Sequence, residues 1–133
     1  GVVAGLVAIT PAAGFVTIRG ALVIGLVAGA ACYWGATVLK RKLRADDSLD
    51  VFGVHGVGGV VGALLTGVLA DPAISGLEAS LLAQVIACVA VLAYSLVMTA
   101  LVLWITSRLT RLRVREVEER AGLDLALHNE SLN

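Results

Sequence analysis

Residues 46–67 read DDSLDVFGVHGVGGVVGALLTG, and the order of residue types in this stretch sets the kind of fold. Asp46, Asp47 and Ser48 come first, and such side chains cap free N–H groups and complement the positive end of a helix dipole. An apolar run follows from about Leu49 to Ala70, with Asp50 and His55 as its only ionisable groups. A helix crossing a bilayer's hydrocarbon core needs about 20 apolar residues at a rise of about 1.5 Å each. This run is long enough, and the spacing predicts a membrane-spanning helix capped by the acids before it. Those acids could instead gather cations at a vestibule, the less favoured of the two roles.

Working outward, Gly20 to Leu39 and about Leu81 to Ser107 are two more such runs, both uncharged. The whole sequence agrees with them, being 59% hydrophobic and 15% charged with a mean hydropathy of +0.95, outside the range of soluble domains. Gly1 to Ile9 is apolar too, without the basic start or small-residue cleavage site of a signal peptide. It is read here as the end of a fourth span, which makes the sequence a fragment of a longer polypeptide. The expected fold class is therefore all-α: a polytopic membrane helical bundle with three full transmembrane helices and the end of a fourth. The transmembrane part covers residues 1–107 and a tail covers 108–133.

Local chemistry explains the breaks. Pro11 lacks a backbone donor and disfavours helix at Thr10, and Asp71-Pro72 ends the second long span in the same way. Lys40, Arg41, Lys42 and Arg44 lie between the first two long spans, and Arg108, Arg111, Arg113, Arg115 and Arg120 follow the third. Short loops rich in Lys and Arg stay in the cytoplasm. The predicted topology thus puts both basic segments and the C-terminus on the cytoplasmic side of a cell membrane, and the other connections, whose only basic residue is Arg19, on the outer side. Anionic lipid attracts such juxtamembrane cations by about 1 kcal/mol each, which is sufficient reason for the arginine run.

Several function classes drop away. Cys32 and Cys88 fall inside apolar runs, where free Cys behaves as a small hydrophobe, so neither a disulfide nor a metal site is predicted. No HExxH, CxxC or phosphate-binding glycine loop is present, and no acid–base or nucleophile constellation can be assembled. An enzyme, a cofactor and a nucleic-acid partner are not expected.

The fifteen glycines would weaken helices in water by about 1 kcal/mol each at interior positions; in lipid they let backbones approach. Gly25-x-x-x-Gly29 and Gly58-x-x-x-Gly62 have that contact spacing. Steps of three and four from His55 collect Val51, Phe52, Gly58, Gly59, Gly62 and Thr66 on one helical face, with Val54, Val57, Val61, Leu64 and Leu65 on another. Ionisable groups within spans are rare and usually face a bundle interior or a permeation path. By position alone His55 is either a hydrogen-bonded packing group or a functional one.

Three strings add a family resemblance. Residues 46–67 resemble the tenth span of the ammonium transporter family (Amt, Mep and the more distant Rh proteins). GLVAITPAAGFV, residues 5–16, resembles the end of the eighth span and the outer loop after it. ERAGLDLALHNES, residues 119–131, resembles the family's tail segment Glu-x-x-Gly-Leu-Asp followed by His-Gly-Glu, with Asn129 where the glycine is usual. The VHGVGG string and the Gly-Leu-Asp tail look more like Amt than Rh.

The resemblance implies an eleven-span subunit in a homotrimer, with a pore through each subunit that takes ammonium, removes its proton and passes ammonia. His55 would be the second of two pore histidines and Val51 an apolar pore-lining residue; the other histidine would belong to spans outside this sequence. Asp50 matches a family acid near the cytoplasmic end of this span, in a structural role. Gly122 and Asp124 match a tail segment that packs on the cytoplasmic face and couples subunits, so they are regulatory candidates, Gly122 also serving as a helix cap. A PII-type signalling protein could dock on the same face. Two other functions compete: an ammonium sensor that signals through its tail, and an Rh-like channel for neutral gas.

Overall fold

The computed structural model describes residues 1–130; Ser131, the last residue of the tail string, lies outside the described residues. The architecture is helical, and strand pairing among the described residues is limited to a single bridge between Val16 and Ala70. Three helices are long and apolar enough to cross a membrane: α2 (Ile18–Leu43, 26 residues), α3 (Phe52–Leu69, 18 residues) and α5 (Leu81–Leu109, 29 residues). They are accompanied by α1 (Val2–Ile9), a short α4 (Pro72–Ser75) and α6 (Glu116–Ala121). By compactness the chain forms two units, Gly1–Val91 and the residues from Leu92 onward.

In the first unit the helix ends follow from side-chain chemistry. As Pro11 predicts, the α-helix stops at Ile9 with Thr10 as its cap, and the chain then tightens into one 3₁₀ turn, Thr10–Ala12, before Ala13 becomes extended. A 3₁₀ turn tolerates the missing proline donor near its start. The Thr17 hydroxyl then accepts from Gly20 N at 3.2 Å and opens α2. Asp71 N donates to Phe15 O at 2.7 Å, fastening the end of α3 to the loop after α1. The Asp71 carboxylate caps Ala73 N at 2.9 Å, and Pro72 occupies the first position of α4, where no donor is needed.

Packing among α1, α2 and α3 uses residues repeated every four, small ones apart from Ile24. Ala4, Ala8 and Ala12 are buried on the first strip, Ile24, Ala28 and Cys32 on α2, and Gly58, Gly62 and Thr66 on α3. That repeat keeps one face of each helix toward its neighbours, and small side chains let the axes close up. The approach is tightest at Gly62, where an added Cβ would sit 2.1 Å from Ala8 O. Gly58-x-x-x-Gly62 is therefore the predicted contact. Gly25-x-x-x-Gly29 is not: both glycines have nothing within 4 Å of an added Cβ. They lie one position beyond Ile24 and Ala28, which puts them roughly 100° around the helix from the packed strip.

The start of α3 also differs from expectation. Asp50 has a left-handed backbone, φ 55°, and so lies before the helix rather than within the span. Asp47 does the capping, its two carboxylate oxygens accepting from Val51 N and Phe52 N at 2.8 Å each.

Candidate functional site

The site of interest is the first turn and a half of α3. Residues Phe52–Gly56 form a π-turn, in which Val57 N reaches back five residues to Phe52 O. Such a turn holds one residue more than the α-helix supplies, and it interrupts the count of threes and fours. The consequence is a correction to the predicted face. Gly58, Gly62 and Thr66 belong to the packed side with Gly53, and His55 is exposed with Val51 and Phe52. An added Cβ on Gly58 would meet Cys32 Sγ at 2.9 Å, whereas one on Gly59 would meet nothing within 4 Å. Of the three glycines assigned to the His55 wall, only Gly59 is open. Among the described residues the imidazole has no hydrogen-bond partner.

Val51 stands one turn before His55, half exposed at 50%, and its own N–H is held by Asp47. The Phe52 ring lies against the following turn, its Cδ2 2.9 Å from where a Cβ on Gly56 would stand. Asp50 pairs with Lys40, Nζ to Oδ1 2.7 Å, with side-chain exposures of 42% and 30%. A pair that open to solvent contributes at most about 1 kcal/mol. Its geometric effect is larger, because it ties the basic end of α2 to the residue that turns the chain into α3. With Asp47 occupied as a cap and Asp50 by a lysine, both acids are spoken for structurally. Neither the Lys40–Asp50 pair nor the Cys32 thiol, which donates to Val54 O at 3.6 Å, was predictable from periodicity.

Side chains in the second unit form separate ion pairs around α6. Arg115 pairs with Glu118 at 2.6 Å and Arg113 with Glu119 at 2.7 Å, while Arg120 pairs with Glu116. The i,i+4 spacing of a helix would pair Arg115 with Glu119. The structure instead uses Glu118 because it also accepts from Arg115 N at 3.0 Å, closing a capping box at the helix start. Gly122 ends α6 with φ 90°, a conformation that side chains with a Cβ resist. Asp124 begins a further turn, Asp124–His128, and its carbonyl accepts from Glu130 N at 3.1 Å. Asn129 closes that turn in the left-handed region, φ 54°. Asparagine tolerates that region better than other non-glycine residues, which explains how it stands in for the usual glycine.

Hydrogen bonds from Arg115 hold the Glu118 carboxyl below its ordinary value, and those from Arg113 do the same for Glu119. A carboxylate depressed in the folded state adds stability above its unfolded value, and that stability is lost as pH falls through the folded one. Amide protection factors for residues 116–121 in the membrane-inserted protein should thus hold near neutrality. They should drop as pH is lowered past the ordinary glutamate value of 4.5. Protection that is flat across this range would show that the pairs do not hold the helix.

Together these features define an all-helical membrane protein with a lone exposed imidazole near the start of a glycine-rich span. A model described as the Ammonium Transporter Family matches residues 1–132, and the chain belongs to that family. It is 47% identical over 98% of its length to an ammonium transporter of Aquifex aeolicus and 44% identical over 98% to one of Bacillus subtilis. Against the ammonium transporter Amt1 of Archaeoglobus fulgidus it is 42% identical, again over 98% of the chain. It spans about a third of the length of these relatives, 32%, 34% and 35% respectively.

Proposed function

We propose that this chain supplies part of the conduction path of an ammonium transporter, with His55 and Val51 facing the permeating species. The observation that supports this most is His55 itself: an ionisable group in an apolar span, exposed and without a hydrogen-bond partner among the described residues, in a chain of this family. Moving a bare cation through an apolar passage is costly, whereas neutral ammonia crosses if its few hydrogen bonds find partners. Neutral imidazole offers one donor and one acceptor, so it can hydrogen-bond to ammonia after ammonium has lost its proton, and can relay a proton. Asp47 and Asp50 shape the entry of the span. The one-sided distribution of Lys and Arg favours a cytoplasmic C-terminus, where the Gly122–Asp124 segment would be available to neighbouring subunits of a homotrimer or to a PII-type protein.

Steric blockage tests the assignment. In the full-length protein, Gly59→Leu should obstruct uptake of an ammonium analogue strongly, because Gly59 follows His55 by four residues and a side chain added there meets open space. Val61→Leu, on the other wall, should leave most of it. Equal uptake by the two variants at matched membrane expression would contradict the placement of His55 in the path.

A further inference from the structure

We infer that Gly53 is a positioning residue for His55, acting through a backbone contact with Gly35 and Ala36 that a π-turn on each helix makes possible. This rests on the reading that His55 meets the permeating species. The buried positions Gly58, Gly62 and Thr66 repeat every four residues, and carrying that repeat back one step reaches Val54. The buried residue is instead Gly53, five before Gly58, while Val54 is only half-buried. The extra residue is the one accommodated by the π-turn.

The reason lies across the interface. An added Cβ on Gly53 would stand 2.6 Å from Ala36 N, 2.8 Å from Ala36 Cα and 2.9 Å from Gly35 C. These are backbone atoms that cannot rotate away. Seen from the other side, a Cβ on Gly35 would meet Gly53 O at 3.1 Å and Val57 Cγ2 at 3.0 Å. An α-helical count would push the valine side chain of residue 54 into that space. The π-turn puts the glycine there. The facing segment of α2 is widened as well: Gly35–Leu39 is a second π-turn, closed by Lys40 N on Gly35 O. The Cys32 thiol, donating to Val54 O, reinforces the widened turn from α2.

His55 lies inside this turn, so the extra residue also sets where the imidazole points. One residue gained or lost in a helix rotates what precedes it by roughly 100°. If the turn reverted to α-helix, the upstream end of the site, Val51 and Phe52 with it, would swing around the axis toward the packed side. The glycine pair thereby holds the ring on the open face without touching it.

The test uses the full-length protein in proteoliposomes, with ammonium-analogue flux and the ring ¹⁵N chemical shifts of His55 as readouts. Gly53→Ala should lower flux by roughly tenfold to a hundredfold, the scale of a misplaced group, and shift the His55 nitrogens. Gly29→Ala, whose Cβ has open space, should do neither. Assembled Gly53→Ala protein with wild-type flux and unmoved nitrogen shifts would overturn the inference. If that variant does not assemble, Gly35→Ala, with its softer contacts, decides by the same two outcomes. His55→Ala separates the two levels. Undiminished flux in that variant would remove the pore reading, while the ¹⁵N comparison would still decide whether Gly53 sets the ring.

Discussion

Replacing His55 with Asp in the full-length protein should leave assembly largely intact and convert conduction toward cations, so that ammonium and potassium currents appear. Removing the imidazole orphans no hydrogen-bond partner among the described residues, and the position is exposed. A carboxylate there would attract a cation and disfavour selective passage of the neutral molecule. Were His55 a packed core group, the same change would put an uncompensated charge in the bundle, at a cost of a few kcal/mol. Folded protein would then be lost with selectivity unaltered in what survives. The yield of folded protein in detergent, measured with ammonium and potassium currents in reconstituted membranes, separates the two. Reduced yield with wild-type selectivity would take His55 out of the path.

Gly62→Ala should have the largest effect on stability. The new methyl would lie 2.1 Å from Ala8 O and 2.8 Å from Ala8 C, and backbone atoms can yield only if the helices separate. Overpacking of well-fitted sites costs about 1–3 kcal/mol and occasionally more; with backbone as the obstacle the upper end is expected. The thermal midpoint of the detergent-solubilised protein should fall markedly. Gly25→Ala, with nothing within 4 Å, should be neutral or slightly stabilising, since alanine favours helix over glycine by about 1 kcal/mol in water. Equal midpoints for the two variants would mean that α1 and α3 do not meet through this strip.

Much of this arrangement is legible in the residues. Long apolar runs mark the three spans, an acid before an apolar run marks the cap at Asp47, and Gly58-x-x-x-Gly62 marks the close contact. What was not legible depends on geometry that periodicity assumes away. The face of His55 was misassigned because a count by threes and fours presupposes 3.6 residues per turn throughout, and the π-turn at Phe52–Gly56 breaks that premise. Gly53 and Gly56 flanking the histidine were the available hint, since glycine tolerates both the contact and the irregular turn. Gly25 and Gly29 had the right spacing on the wrong azimuth, because several strips of small residues coexist on α2 and spacing alone does not select one. The Lys40–Asp50 pair depends on left-handed turns at Arg44 and Asp50, which residue type did not forecast. In the tail, Glu118 outcompeted Glu119 for Arg115 because it could also reach the backbone.

The most direct measurement is ammonium flux into proteoliposomes holding the full-length protein, wild type against His55→Ala at matched folded-protein content. Flux carried by the wild type and largely lost in the variant, with assembly unchanged, is the predicted result. Undiminished flux in the variant would contradict a role for His55 in conduction. Absence of flux in the wild type, with ammonium-dependent partner binding at the tail, would contradict transport itself and leave a sensor.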